Sequence, residues 1–268
     1  MLERIDKRFN HFITDPLRKL DKIAFNKYNP MHPTSFFSWG EDDLLLVHIF
    51  SGLFLIFLFP SKENLNSIVR FDDNKNVRRN KRIISFYKNC IHRHLYVFGA
   101  HKTYLSKSPG HTPKMKYLCN FFPDSRFICT SRAPEQVIPS AISLFIRFCE
   151  VYHTPYDINS LVDRTYAMAD YWYPHPLEVF SNLEENRYII LNYERLTSNI
   201  VHVVSEIYNR FGKKLSAEFL DYLTQQQKRK FLSAHVYSAE KYELDVEEIS
   251  LRYKKVYQEL LIKSANGN

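Results

Sequence analysis

The sequence predicts an α/β fold: a parallel sheet flanked by helices, with helix the larger share. Three observations predict it. Two short apolar runs, 126–130 (RFICT) and 187–192 (RYIILN), have the length and composition of strands buried on both faces. Longer stretches of helical spacing alternate with them, and that alternation suits parallel pairing through helical crossovers. The charged and hydroxyl residues of interest fall at the carboxyl ends of the strand candidates, where parallel sheets bind ligands.

Composition bounds the rest. With 268 residues, 45% of them hydrophobic and 25% charged, the chain buries a real core and suits one fairly large domain. The net charge of +8 favours anionic partners. Its densest basic stretch, Lys75 to Arg82, is too short for a nucleic-acid tail and reads as a solvated loop or helix start, so nucleic acid is not the expected partner. The four cysteines, Cys90, Cys119, Cys129 and Cys149, share no CxxC spacing, so neither a disulfide framework nor a metal site is expected. The opening MLERIDKRFN has no apolar signal core, and a cytoplasmic location is expected.

Taken in order, the first 40 residues are polar-helical and then turn-rich, with Asn29-Pro30 and His32-Pro33. Residues 44–59 (LLLVHIFSGLFLIFLF) are shorter than the roughly 20 apolar residues a spanning helix needs. They read as a buried core helix stopped by Pro60, with membrane contact the less favoured alternative. Ile83, Ile84, Tyr87 and Ile91 recur at helical spacing and predict a helix over 80–95. Residues 103–106 form a strand candidate ending at the turn Lys107-Ser108-Pro109-Gly110, and 115–122 a helix. Helices are expected over 135–149, with Pro134 in the first turn, over 158–183 and over 198–211. The stretch 216–263 reads as helices with a loop around 233–241.

Two places carry chemistry. Arg132 stands just after a strand and before a helix start, where free N–H groups and the helix dipole already favour an anion and a guanidinium adds a bidentate fork. Ser140, two turns into that helix, can face the same pocket. Lys107, held by the Pro-Gly turn, is placed as a point charge to stabilise developing negative charge. The blander alternatives are a surface ion-pair arginine and a solvated loop lysine.

Together the stretch 105–140, with K-S-P, F-P-D-S-R-F-I, R-A-P and a Ser eight residues beyond the Arg, resembles the sulfotransferase family. Glu41-Asp42-Asp43, Asn192-Tyr193-Glu194-Arg195-Leu196 and the segment 233–238 resemble further parts of it. The resemblance implies a P-loop-NTPase-like sulfotransferase fold as one domain over 1–268. Within it, 1–100 would be a helical acceptor-side region, 101–212 the nucleotide-binding core and 213–268 the C-terminal helices. It implies transfer of a sulfuryl group from 3'-phosphoadenosine 5'-phosphosulfate, without metal, to an acceptor hydroxyl or amine on a small molecule, carbohydrate, lipid or peptide. By the same resemblance Arg132 and Ser140 bind the donor's 3'-phosphate, Tyr193 lies near the adenine, and Lys230 or His235 closes over the 3'-phosphate. Lys107 contacts the leaving oxygen. Glu41 is the first candidate for the base that takes the acceptor's proton and His111 the second.

The family's Gly-rich 5'-phosphosulfate loop has no counterpart here, so the fold is expected to be N-terminally incomplete and transfer by this chain alone poor. A catalytically inactive or truncated relative, which binds the 3'-phosphonucleotide or a partner without turnover, is the alternative. The acceptor's identity and the oligomeric state stay open.

Overall fold

The two apolar runs form neighbouring parallel strands, β1 (Phe127–Ser131) and β2 (Tyr188–Asn192), in register from Phe127 against Tyr188 to Ser131 against Asn192. The structure is a computed structural model that describes residues 14–25, 35, 40–58, 67–152, 154–228, 242 and 244–265. Ahead of β1 come α1 (Thr14–Phe25), a 3-10 helix over Asp42–Ile49, α2 (Leu55–Leu58), α3 (Val77–Phe98) and α4 (Met115–Phe121). The crossover consists of α5 (Pro134–Val151), α6 (Ile158–Trp172) and α7 (His175–Phe180). After β2 follow α8 (Tyr193–Ser198), α9 (Ile200–Arg210), α10 (Ala217–Gln227) and α11 (Val246–Ala265).

Local chemistry sets these boundaries. Asp157, Asn192 and Ser216 cap α6, α8 and α10 by accepting from the N–H groups of Ser160, Arg195 and Phe219. Pro134 opens α5, where its missing N–H leaves no bond unmade. Asn76 caps α3, and Gly99, at φ 128°, ends it. The helix therefore exceeds its predicted span at both ends, because the apolar pattern marks only the part that faces the core.

The core explains the parallel pair. Ile189 and Leu191 pack with Val203 of α9 and with Phe211, while Ile190 packs on the other face with Leu260 of α11, Val179 and Phe180. So β2 is buried on both faces, as its apolar run implies. Strand β1 is not: Phe127 and Cys129 are partly covered, whereas Ile128 is 43% exposed and Thr130 faces water. The largest cluster joins Ile138, Ile142, Phe145 and Cys149 of α5 to Leu161 and Ala169 of α6 and to Ile249 and Tyr253 of α11. That helix layer holds the crossover against the sheet.

Two further expectations are corrected, and the helical stretch 158–183 is resolved into its helices. Residues 103–106 form no strand: they have no ladder partner among the described residues, and the side chains of Tyr104 and Ser106 bond to Asp42 instead. The described part of the run 44–59, residues 44–58, does not form one core helix. The 3-10 helix ends at Phe50, in the left-handed region at φ 52°, and Ser51 to Leu53 fold back so that the Leu53 N–H meets the Asp43 carboxylate before α2 begins. Gly52 allows the reversal, since a Cβ there would lie 2.9 Å from the Asp43 carbonyl oxygen. The stretch 158–183 divides into α6 and α7 at Pro174, whose ring cannot continue the hydrogen-bond ladder. Among the described residues no helix is long and apolar enough to cross a membrane. The turns at Asn29-Pro30 and His32-Pro33, the loop 233–241, and Lys230 and His235 lie outside the described residues.

Candidate active site

Glu41, Asp42 and Asp43 stand in a row at the start of the 3-10 helix, and each takes a different part of the segment 104–114. At three residues per turn, successive side chains point about 120° apart, so adjacent carboxylates serve separate partners. Glu41 Oε1 accepts from the Lys107 ammonium at 2.5 Å, and Oε2 from the Ser108 hydroxyl at 3.3 Å. The Lys107 side chain is 78% exposed and that of Glu41 30%. Asp43 Oδ1 accepts from Lys114 Nζ at 2.9 Å, and Lys114 donates also to the Gly110 carbonyl. Both members of that pair are out of water.

Asp42 is the centre of the cluster. Its Oδ1 accepts from Ser106 Oγ at 2.7 Å and meets His111 Nε2 at 3.0 Å, while Oδ2 accepts from the hydroxyls of Tyr87 and Tyr104. Burial alone pushes this carboxyl up. The bond and charge of His111 and the bonds from Tyr87 and Ser106 outweigh it and hold the group down at about 2. Burial and the same carboxylate push the Tyr87 and Tyr104 phenols far up, so both remain donors.

An ionised Asp42 only accepts, so His111 Nε2 carries a hydrogen; its Nδ1 is buried without a hydrogen-bond partner. Ser106, His111 and Asp42 are the residue types of a hydrolytic triad. Here, however, serine and aspartate meet the same nitrogen, Nε2, whereas a triad's relay needs both nitrogens. The cluster holds a loop; it does not activate the serine.

The second group sits at the carboxyl ends of the strands. Ser131 and Asn192 are the last paired residues, so Arg132 and Tyr193 leave the sheet side by side. The guanidinium carbon of Arg132 lies 4.8 Å from the centre of the Tyr193 ring, in cation–π contact. Arg132 Nε donates to Gln136 at 2.8 Å, and Ser140 lies one turn further along the same face of α5. Among the described residues no carboxylate pairs with Arg132, and its terminal amines take no protein hydrogen bond. Its carbonyl accepts from the Tyr173 hydroxyl at 2.8 Å, which fixes the strand end. Arg132 is thus held on a ring and an amide, with the two terminal amines of its fork left over as donors among the described residues.

This geometry is joined by the comparisons with known proteins. The model of the sulfotransferase family matches residues 60–217, more than half of the chain. The chain belongs to the sulfotransferase family. No curated protein matches it. The solved structure of sulfotransferase STF9 from Mycobacterium avium is similar at a TM-score of 0.71 and 18% identity, covering 90% of this chain and 61% of that one. At that identity the likeness shows the fold, a helix-rich α/β architecture with a parallel sheet. The chain spans about three fifths of the length of that sulfotransferase.

Of the residues singled out in the sequence, the structure brings Lys107, Glu41 and His111 into one cluster and Arg132 and Tyr193 into another, with Ser140 half-buried nearby on α5. Among the described residues no hydrogen bond or ion pair joins the two clusters. Sequence reasoning gave no role in the site to Asp42, Tyr87, Tyr104, Ser106, Lys114 or Gln136, although it set Tyr87 on the core face of its helix. The three consecutive acids were a signal for the first five, but their partners lie 45 to 71 residues away in the chain.

Proposed function

We propose that the chain is a sulfotransferase acting with 3'-phosphoadenosine 5'-phosphosulfate as donor and a hydroxyl or amine as acceptor. The observation that carries this reading is the Arg132 guanidinium at the carboxyl end of β1, stacked on Tyr193 and left without a carboxylate. Arg132, with Ser140, takes the 3'-phosphate, and Tyr193 offers its half-exposed ring beside the adenine. The donor supplies the sulfuryl group and leaves as adenosine 3',5'-bisphosphate. Lys107, exposed at the end of its loop, stabilises negative charge on the departing oxygen.

Glu41 is the base in this reading. Both its oxygens reach the Lys107-Ser108 turn, and it stays open to solvent. His111 is its poorer rival, because Nε2 donates to Asp42 and Nδ1 is buried. As the acceptor oxygen or nitrogen bonds to sulfur and the bond from sulfur to the donor phosphate breaks, the acceptor's proton passes to Glu41.

Calorimetry with adenosine 3',5'-bisphosphate tests the reading without requiring turnover. The chain binds it, and Arg132→Ala weakens binding about tenfold to a hundredfold, the loss expected for charge-assisted hydrogen bonds. Unchanged affinity removes Arg132 from the site. Binding without sulfate transfer to any acceptor favours the inactive relative instead.

A further inference from the structure

Charge is segregated along this chain. Residues 74–123 hold eleven Lys and Arg and neither Asp nor Glu, so this stretch alone exceeds the +8 of the whole chain and the remainder is net negative. Much of it is α3, whose buried side presents Ile83, Ile84, Tyr87 and Ile91 to the core. The opposite side carries Arg78, Lys81, Arg82 and Arg93, all exposed and, among the described residues, in no ion pair.

The tip of this helix is apolar and faces water. Tyr96 is 89% exposed, Val97 63% and Phe98 58%. Gly99 turns the chain, Lys102 N–H closes the turn on the Gly99 carbonyl, and Leu105 comes back 86% exposed. The His94 ring stacks on Phe98 at 4.5 Å and meets Tyr104 at 5.3 Å, which ties tip and returning segment into one surface. Scattered exposed apolar residues are ordinary; four large ones at one helix end, flanked by unpaired cations, are not.

We propose that this face of α3 and the turn after it dock the protein on an anionic lipid surface. Tyr96, Val97 and Leu105 enter the headgroup region, and Arg82, Arg93 and Lys102 face the anionic headgroups, while Phe98 stays stacked on His94. Cations alone would suit any polyanion. The aliphatic Val97 and Leu105 select the bilayer, because a nucleic acid or an acidic polysaccharide offers no apolar medium to receive them. Aromatic rings beside Lys and Arg at a helix end fit the lipid–water boundary. The docking does not depend on the sulfuryl-transfer reading, although it sets Lys107, two residues past Leu105, close to that boundary.

Co-sedimentation of the full chain with vesicles tests the proposal, using phosphatidylcholine alone and phosphatidylcholine mixed with phosphatidylserine. The chain partitions onto the mixed vesicles at least about tenfold more strongly than onto the neutral ones, and added salt weakens this. The double variant R93E/K102E and the double variant Y96S/V97D each lower partitioning about tenfold or more while thermal melting stays unchanged. Absence of vesicle binding overturns the proposal. So does vesicle binding that neither variant weakens, which would place the contact elsewhere. Heparin binding with no vesicle binding also overturns it, in favour of an acidic polysaccharide.

Discussion

Lys114 Nζ lies 2.9 Å from Asp43 Oδ1, and neither side chain reaches water. Each ion is tolerable there because the other is present and because the spare positions are filled. Lys114 also donates to the Gly110 carbonyl, and Asp43 also accepts from the Leu53 N–H. Replacing one partner strands the other, which typically destabilises by about 3–5 kcal/mol. Lys114→Met is therefore expected to lower the urea midpoint strongly. The double variant D43L/K114M recovers only part, because the Leu53 N–H remains without its acceptor.

Gly110 packs directly on that pair. A Cβ at this position would lie 2.8 Å from Asp43 Cγ and 2.9 Å from Oδ1, and that buried carboxylate is held by Lys114 and the Leu53 N–H. Gly110→Ala is expected to destabilise by about 1–3 kcal/mol. Gly40→Ala is the control, since a Cβ there meets nothing within 4 Å. Equal melting of the two variants would contradict the contact.

Asp42 gives a pH signature. Its carboxyl titrates at about 2 in the folded chain against an ordinary 3.8, so its contribution is complete above 3.8 and disappears as the pH falls through 2. The shift corresponds to about 2 kcal/mol at neutral pH. Asp42→Asn is expected to lose that amount at pH 7 and to converge with the native chain near pH 2, as read from urea unfolding at a series of pH values.

The Glu41–Lys107 pair separates chemistry from structure. It lies at the surface, so breaking it changes stability by at most about 1 kcal/mol. On the proposed function, Glu41→Gln and Lys107→Ala each reduce turnover by about two orders of magnitude or more while adenosine 3',5'-bisphosphate binding persists. His111→Asn should instead lower stability along with turnover, since it removes a donor to Asp42. A Glu41→Gln enzyme of native turnover would remove Glu41 as the base.

Legibility differed by element. RYIILN announced a strand buried on both faces and is one, because continuous apolarity has few other solutions. RFICT looked much the same and is covered on one face only, since burial depends on which helices arrive and not on the strand itself. Residues 103–106 end at a turn signature like a strand yet serve as a strap, the hydroxyls of Tyr104 and Ser106 bound to a carboxylate more than sixty residues earlier in the chain. The apolar run 44–59 lost its continuity to one glycine and one buried aspartate.

Pattern along the chain was enough to set the α/β class, most of the helices and the two strand ends, while the family resemblance singled out Tyr193 after β2 and gave Arg132 its partner Ser140. Those elements depend on spacing and on caps, which act over a few residues. That Arg132 and Tyr193 touch, and that three neighbouring acids divide the 104–114 segment among themselves, required the folded chain. Register between distant strands and the pairing of buried charges are settled by which surfaces exclude water together, and that is a property of the assembled layers.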